Sequence, residues 1–166
     1  MGNVTVRRVR KGDQKTLAYI QTQSWKAAFA EILPADVLAR CADRALSERM
    51  YAGLIEAAVG NGYILEVDGR PHCIAYWDTT RERDMAGYAE LICIHSLPDK
   101  WHCGYGSEMM ARVLDDMRAA GFGRVMLWVF EANHRAIEFY RKHGFAPNGR
   151  AQPAFGVTEV MYERAL

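Results

Sequence analysis

Apolar positions along this chain change their spacing several times, and each change marks an element. Val4, Val6 and, less cleanly, Val9 alternate with polar residues, which predicts a first strand over Val4–Val9. From Asp13 to about Phe29 the spacing lengthens to that of a helix, with Leu17, Ile20, Trp25 and Ala28 near one face and Asp13 as its cap. Pro34 opens a second helical region, Ala35 to about Ala58, carrying Val37, Leu38, Leu46, Met50 and Leu54. Tyr63–Val67 and His72–Trp77 flank Asp68-Gly69, a dipeptide suited to the positive φ angles of a type I′ turn, so these runs read as a hairpin. A polar connection over Thr79–Asp84 leads to a strand at about Tyr88–His95. The next helix, Ser107–Ala120, places Met110, Val113, Leu114 and Met117 at i, i+3, i+4 and i+7, and Gly121 ends it. Val125–Phe130 is apolar on both faces, as a central covered strand should be. Asn133 caps a further helix that Gly144 stops, and short strands near Ala146–Arg150 and Phe155–Arg164 finish the chain.

The 166 residues fit one mixed α/β domain spanning 1–166, with no repeat, linker or low-complexity stretch. Half of the residues are hydrophobic and a quarter charged, which argues against disorder. Twenty-one basic against 20 acidic residues leave a formal charge of +1, so nothing in the overall charge calls for a nucleic-acid partner. No apolar run approaches the ~20 residues that cross a bilayer, and nothing at the start reads as a signal peptide. No membrane association is therefore expected. Cys41, Cys73, Cys93 and Cys103 have no disulfide-framework spacing, and are expected to be reduced thiols of a cytoplasmic protein. The pairs His72/Cys73, Cys93/His95 and His102/Cys103 lack the spacing of zinc sites, so no metal is expected.

The candidate chemistry gathers around the turn Trp101-His102-Cys103-Gly104-Tyr105-Gly106-Ser107, between a strand and a helix start. Free backbone N–H groups at a helix N-terminus favour an anion, and glycines admit a ligand close to the backbone. Taken alone, this turn serves equally well as a plain strand-to-helix connection. It lacks the Gly-Lys-Ser/Thr of a nucleotide-triphosphate loop and the third glycine of a dinucleotide fingerprint. Glu90 is a polar group on a strand face that alternation assigns also to Ile92 and Ile94. His95 falls on the other face of the same strand unless a bulge intervenes. Tyr140, on the helix that Asn133 caps, is by default a packed aromatic, and so are Trp25, Phe29 and Tyr76.

Several runs in order, Ser24–Pro34, Trp101–Gly106, Asn133–Phe145 and Glu159–Tyr162, resemble the GNAT superfamily of acyl-CoA N-acyltransferases across nearly the whole chain. The family's phosphate loop is Gln/Arg-x-x-Gly-x-Gly/Ala. Here Gly104-Tyr105-Gly106 matches, while Trp101 stands in place of the leading Gln or Arg and removes one phosphate donor. The resemblance implies a mixed, mostly antiparallel twisted sheet with helices on both faces and a splayed central strand pair. It implies transfer of acetyl from acetyl-CoA, the cosubstrate, to a primary amine. Trp101, His102, Cys103, Gly104, Tyr105, Gly106 and Ser107 would cradle the pyrophosphate. The backbone of Ile94, His95 and Ser96, with the Asn133 side chain, would hold the pantetheine arm.

Tyr140 would contact the cofactor and return a proton to the departing thiolate. Glu90 would be the base that deprotonates the amine, directly or through water, as in histone-type members, with His95 as its competitor and a water chain as the remaining alternative. Trp25, Phe29 and Tyr76 would line the acceptor pocket. The acceptor is expected to be a small-molecule amine. A protein lysine or N-terminus is the alternative, and a CoA-binding module without turnover is the reading from another class. Whether the protein is a monomer or a homodimer is not legible in the chain.

Overall fold

The computed structural model describes residues 2–166. Among them, seven strands form one sheet and five helices cover it. In chain order the elements are β1 (Val4–Arg8), α1 (Gln14–Ala28), α2 (Ala35–Cys41), α3 (Arg44–Glu56), β2 (Asn61–Val67), β3 (Arg70–Thr79) and β4 (Tyr88–Ser96). They continue with α4 (Tyr105–Ala119), β5 (Arg124–Phe130), α5 (His134–Lys142), β6 (Ala146–Ala154) and β7 (Val157–Ala165). The sheet order is β1-β2-β3-β4-β5-β7-β6, and every neighbouring pair is antiparallel except β4 and β5.

Local signals place most boundaries. Asp68 and Gly69 take φ of 51° and 75°, the double positive φ that turns β2 into β3. Asn133 accepts a hydrogen bond from the Ala136 N–H at 3.3 Å, and Gly144 leaves α5 at φ 84°. Three expectations are corrected. The helical region Ala35–Ala58 is two helices, because Asp43 adopts extended geometry and caps the second by accepting from the Leu46 N–H at 2.8 Å. Asp13 caps no helix with its side chain; its carboxylate accepts from Arg7 at 2.8 and 3.0 Å and from the Arg10 N–H at 2.8 Å. Phe155 is not in a strand. It sits with Gly156 in the β6–β7 turn, at φ of 53° and 80°.

On one face α4 buries Met109, Met110, Val113, Leu114 and Met117 against Tyr63, Leu65, Trp77, Leu91 and Leu127. Each such burial contributes roughly 1.5–3 kcal/mol. The opposite face packs Leu17, Ala18 and Ile20 of α1 and Tyr51 of α3 on Ile64, Ile74 and Tyr76. No helix among the described residues is long and apolar enough to cross a membrane.

The element that shapes the site is an irregularity in β4. Tyr76 pairs with Cys93 and Trp77 with Leu91, so Ile92 has no partner in β3. One extra residue in a strand reverses the alternation beyond it. Leu91 and Ile94 consequently both face α4, while Cys93 faces α1 and α3. Glu90 does not share a face with Ile94, as simple alternation predicts. It shares the α1 side with His95.

Candidate active site

Beyond this bulge β4 and β5 part company. They pair only at Tyr88↔Arg124, Ala89↔Val125 and Glu90↔Met126. Past that point β5 runs with β7 as far as Phe130↔Glu159, while β4 runs with β3 as far as Ser96↔Cys73. A gap opens between Leu91–Ser96 and Trp128–Phe130, so the β5-facing backbone edge of β4 lacks a strand partner there. The gap forms the floor of a cleft of about 1030 Å³.

At one end of the cleft lies the start of α4. Gly104 adopts φ 86° immediately before it, a conformation that disfavours any side chain. The Tyr105 and Gly106 N–H groups occupy the first helical turn and have no acceptor among the described residues, as expected of a helix start. The two glycines have different physical reasons. A Cβ on Gly104 would meet open space, whereas one on Gly106 would lie 3.2 Å from the Phe139 ring of α5. Gly106 is therefore needed for helix packing as well as for an open turn. Cys103 is exposed and does not line the cleft, unlike every other predicted cofactor contact: Ile94, His95, Ser96, Trp101, His102, Gly104, Tyr105, Gly106, Ser107, Asn133 and Tyr140. Trp101 turns its indole N–H to the Ser96 carbonyl at 3.1 Å.

Four side chains with chemistry stand at the centre. The Tyr140 ring packs edge-on to Phe139 and Phe145. Its phenol is held well above the ordinary range by burial and, less strongly, by Cys93, with Arg135 acting the other way. It therefore carries its proton at neutral pH. Burial raises the Cys93 thiol to about 11, which keeps it protonated and a poor nucleophile. His95 is lowered to about 4, chiefly by burial and then by the charge of Arg135, so it is neutral at pH 7. Its Nε2 accepts from the Trp25 indole N–H at 3.3 Å, and its Nδ1 lies 3.5 Å from the Ser24 hydroxyl. Glu90 is only 2% exposed, and three N–H donors hold it: Arg81 Nη2 at 2.6 Å, Arg81 Nε at 3.1 Å and the Arg81 backbone at 3.0 Å. His95 thus spends its acceptor nitrogen on Trp25, while the three Arg81 contacts leave the Glu90 carboxylate one acceptor site.

The other end of the cleft is aromatic and acidic. Trp25 and Phe29 line it, their ring centroids 4.9 Å apart, and Phe155 on the β6–β7 turn meets Trp25 at 5.8 Å. Tyr76 also lines the cleft but is buried, packed against Tyr51 of α3 with ring centroids 5.5 Å apart, and its phenol is raised to about 12 chiefly by burial. Asp78, Glu82 and Glu159 also line this end. Glu82 accepts from the Trp128 indole at 3.1 Å and Glu159 from Gln152 at 2.6 Å. The residue patterns did not single out Arg81, Glu82, Phe155 or Arg135. Each comes from a loop, a turn or a helix flank, where apolar periodicity carries no signal. Among the described residues no group of three His, Cys, Asp or Glu side chains is placed to hold a metal.

A slot between splayed strands, with free backbone groups along one wall and a helix start at its mouth, fits an extended anionic thioester such as acetyl-CoA. Those are the features of an acyl-CoA-dependent acyltransferase. Residues 21–145 match the profile of the Acetyltransferase (GNAT) family, and the chain belongs to that family. It is an acyltransferase that uses acetyl-CoA as cosubstrate. The uncharacterized N-acetyltransferase YuaI of Bacillus subtilis is 25% identical over 159 residues, covering 95% of this chain and 87% of that protein. The fold is similar to that of the PaiA N-acetyltransferase from Thermoplasma acidophilum in complex with coenzyme A. That match has a TM-score of 0.81 and 18% identity, and covers 99% of each chain. It is also similar to the ribosomal-protein-S18-alanine N-acetyltransferase of Escherichia coli, with a TM-score of 0.72 and 16% identity, over 98% of this chain and 94% of that one.

Proposed function

We propose that this protein transfers acetyl from acetyl-CoA directly to the primary amine of a small molecule. The observation that carries the choice of acceptor is the contact between Trp25 of α1 and Phe155 of the β6–β7 turn, with ring centroids 5.8 Å apart. It closes the acceptor end of the cleft from both sides, and an extended peptide would need that path open. Aromatic faces and the carboxylates of Asp78, Glu82 and Glu159 suit an ammonium group.

In this reading the turn Trp101–Ser107 and the first amides of α4 hold the pyrophosphate. Asn133 and the free edge of β4 at Ile94–Ser96 hold the pantetheine arm, and Trp25, Phe29 and Tyr76 position the acceptor. The amine nitrogen attacks the thioester carbonyl carbon, and β4 backbone N–H groups stabilise the developing oxyanion by ~3 kcal/mol per donor. As the C–S bond breaks, the Tyr140 hydroxyl proton passes to the sulfur, and the phenol recovers a proton originating from the amine. Glu90, engaged by Arg81, acts through its charge and not as a free base, and water in the cleft carries the ammonium proton away. A protonated, buried Cys93 fits direct transfer without an acyl-enzyme.

The test is a thiol-release screen with acetyl-CoA over polyamines, aminoglycosides, amino acids and peptides. Turnover on small amines with kcat/KM well above that on peptides is expected. Faster turnover on peptides overturns the choice of acceptor, and CoA binding without turnover on any amine overturns the transfer itself.

A further inference from the structure

The residue at 101 presents a difficulty, because an indole cannot supply the charged or amide donors that a Gln or Arg offers a phosphate. Its surroundings resolve it. The Arg135 guanidinium lies over the Trp101 ring, with Cζ 3.5 Å from the ring centroid. Trp101 is itself fixed by its N–H bond to the Ser96 carbonyl. The two residues come from opposite sides of the slot, Trp101 from the segment after β4 and Arg135 from the first turn of α5. Both line the cleft beside Gly104, Tyr105 and Gly106.

Arg135 forms no ion pair and donates no side-chain hydrogen bond among the described residues, unlike Arg7, Arg81, Arg112, Arg118, Arg124 and Arg150. Arg135 lines the cleft with no carboxylate partner, so its charge is free to meet an anion. Stacking on an indole uses the face of the guanidinium and leaves its N–H groups for another partner. Free amides at the start of α4 line the same cleft, so the local field favours an anion from two independent sources.

We propose that Trp101 and Arg135 act together as a phosphate clamp, with Arg135 binding the pyrophosphate of the acyl-CoA and Trp101 positioning it. The donor missing from position 101 is thereby supplied from α5, 34 residues further along the chain. This rests on the acyl-CoA reading of the cleft, and the experiment separates the two.

Dissociation constants are measured by calorimetry for acetyl-CoA, for acetyl-dephospho-CoA, which lacks the 3′-phosphate, and for S-acetylpantetheine, which has no phosphate. The proteins are wild type, Arg135→Gln, Arg135→Lys and Trp101→Leu. Arg135→Gln is expected to weaken the first two ligands by about tenfold each, as for a lost charge-assisted contact, and to leave S-acetylpantetheine unchanged. Arg135→Lys, which keeps the charge without the planar stack, should recover part of the loss. Trp101→Leu should weaken the same two ligands, and its effect should add little to Arg135→Gln in the double variant. Arg135 is exposed, so its variants are expected to fold, and they decide the matter alone if Trp101→Leu does not. Equal affinity of wild type and Arg135→Gln for acetyl-CoA overturns the clamp while the acyl-CoA reading stands. A loss confined to acetyl-CoA moves Arg135 to the 3′-phosphate, and an equal loss for all three ligands makes it a pantetheine or structural contact. Either result overturns the assignment to the pyrophosphate. A wild-type protein that binds none of the three removes the acyl-CoA reading and the clamp with it.

Discussion

Replacing Arg81 by alanine tests the electrostatics of the cleft floor. The Glu90 side chain is 2% exposed, and the Arg81 side chain supplies two of its three N–H contacts, at 2.6 and 3.1 Å. The third, from the Arg81 backbone at 3.0 Å, survives the substitution. Deleting one partner of a buried ion pair costs about 3–5 kcal/mol, but the Arg81 side chain is 70% exposed and solvent already screens it, so about 2 kcal/mol is the expected loss at pH 7. Without its cation the carboxylate is left buried and uncompensated. Urea unfolding followed by circular dichroism at pH 7 measures the loss. Arg81→Ala/Glu90→Gln, which buries no charge, should be more stable than Arg81→Ala alone. A loss well below about 1 kcal/mol, or a double variant no more stable than the single one, refutes this account of the ion pair.

Three further outcomes are expected. Tyr140→Phe keeps the packing and removes the hydroxyl, so kcat should fall by roughly 10²-fold where chemistry limits turnover, and an unchanged kcat returns Tyr140 to a packing role. Gly104→Asp forces a side chain into φ 86° and places a carboxylate at the start of α4. It should abolish the acetyl-CoA-dependent thermal shift, which corresponds to about 2.7 kcal/mol at a hundredfold excess over Kd, and a folded variant with the full shift contradicts the phosphate assignment. His95 is lowered from 6.5 to about 4, so the unfolded chain takes up its proton first and the stabilisation it provides is lost as pH falls through that window. His95→Gln should flatten the dependence of unfolding free energy on pH between those values, and an unaltered slope would show that other groups set it.

Most of the elements and the order of the motifs were legible in the chain, because the signals are local. Asp68-Gly69 turns a hairpin through its own φ preferences, Asn133 caps α5 three residues away, and the α4 methionines repeat at helical spacing. The resemblance to acyl-CoA acyltransferases was carried by such short runs. The break at Asp43 and the turn at Phe155 leave no mark in the apolar spacing, since each is a single residue whose backbone departs from the surrounding pattern.

What only the tertiary structure decided depends on register and on pairs far apart in sequence. Whether His95 shares a face with Glu90 rests on Ile92 having no partner in β3, and pairing between strands leaves no mark on the periodicity of either one. Arg81 neutralises Glu90 from a loop, Phe155 meets Trp25 across 130 positions, and Arg135 reaches Trp101 from the next helix but one in the site. Polar and aromatic side chains at loop and helix-flank positions follow no hydrophobic repeat, so folding alone determines which of them meet. The order of residues along the chain thus supplied the elements and the turn before α4, while the pairings across the cleft were settled by contacts that exist only once the sheet is assembled.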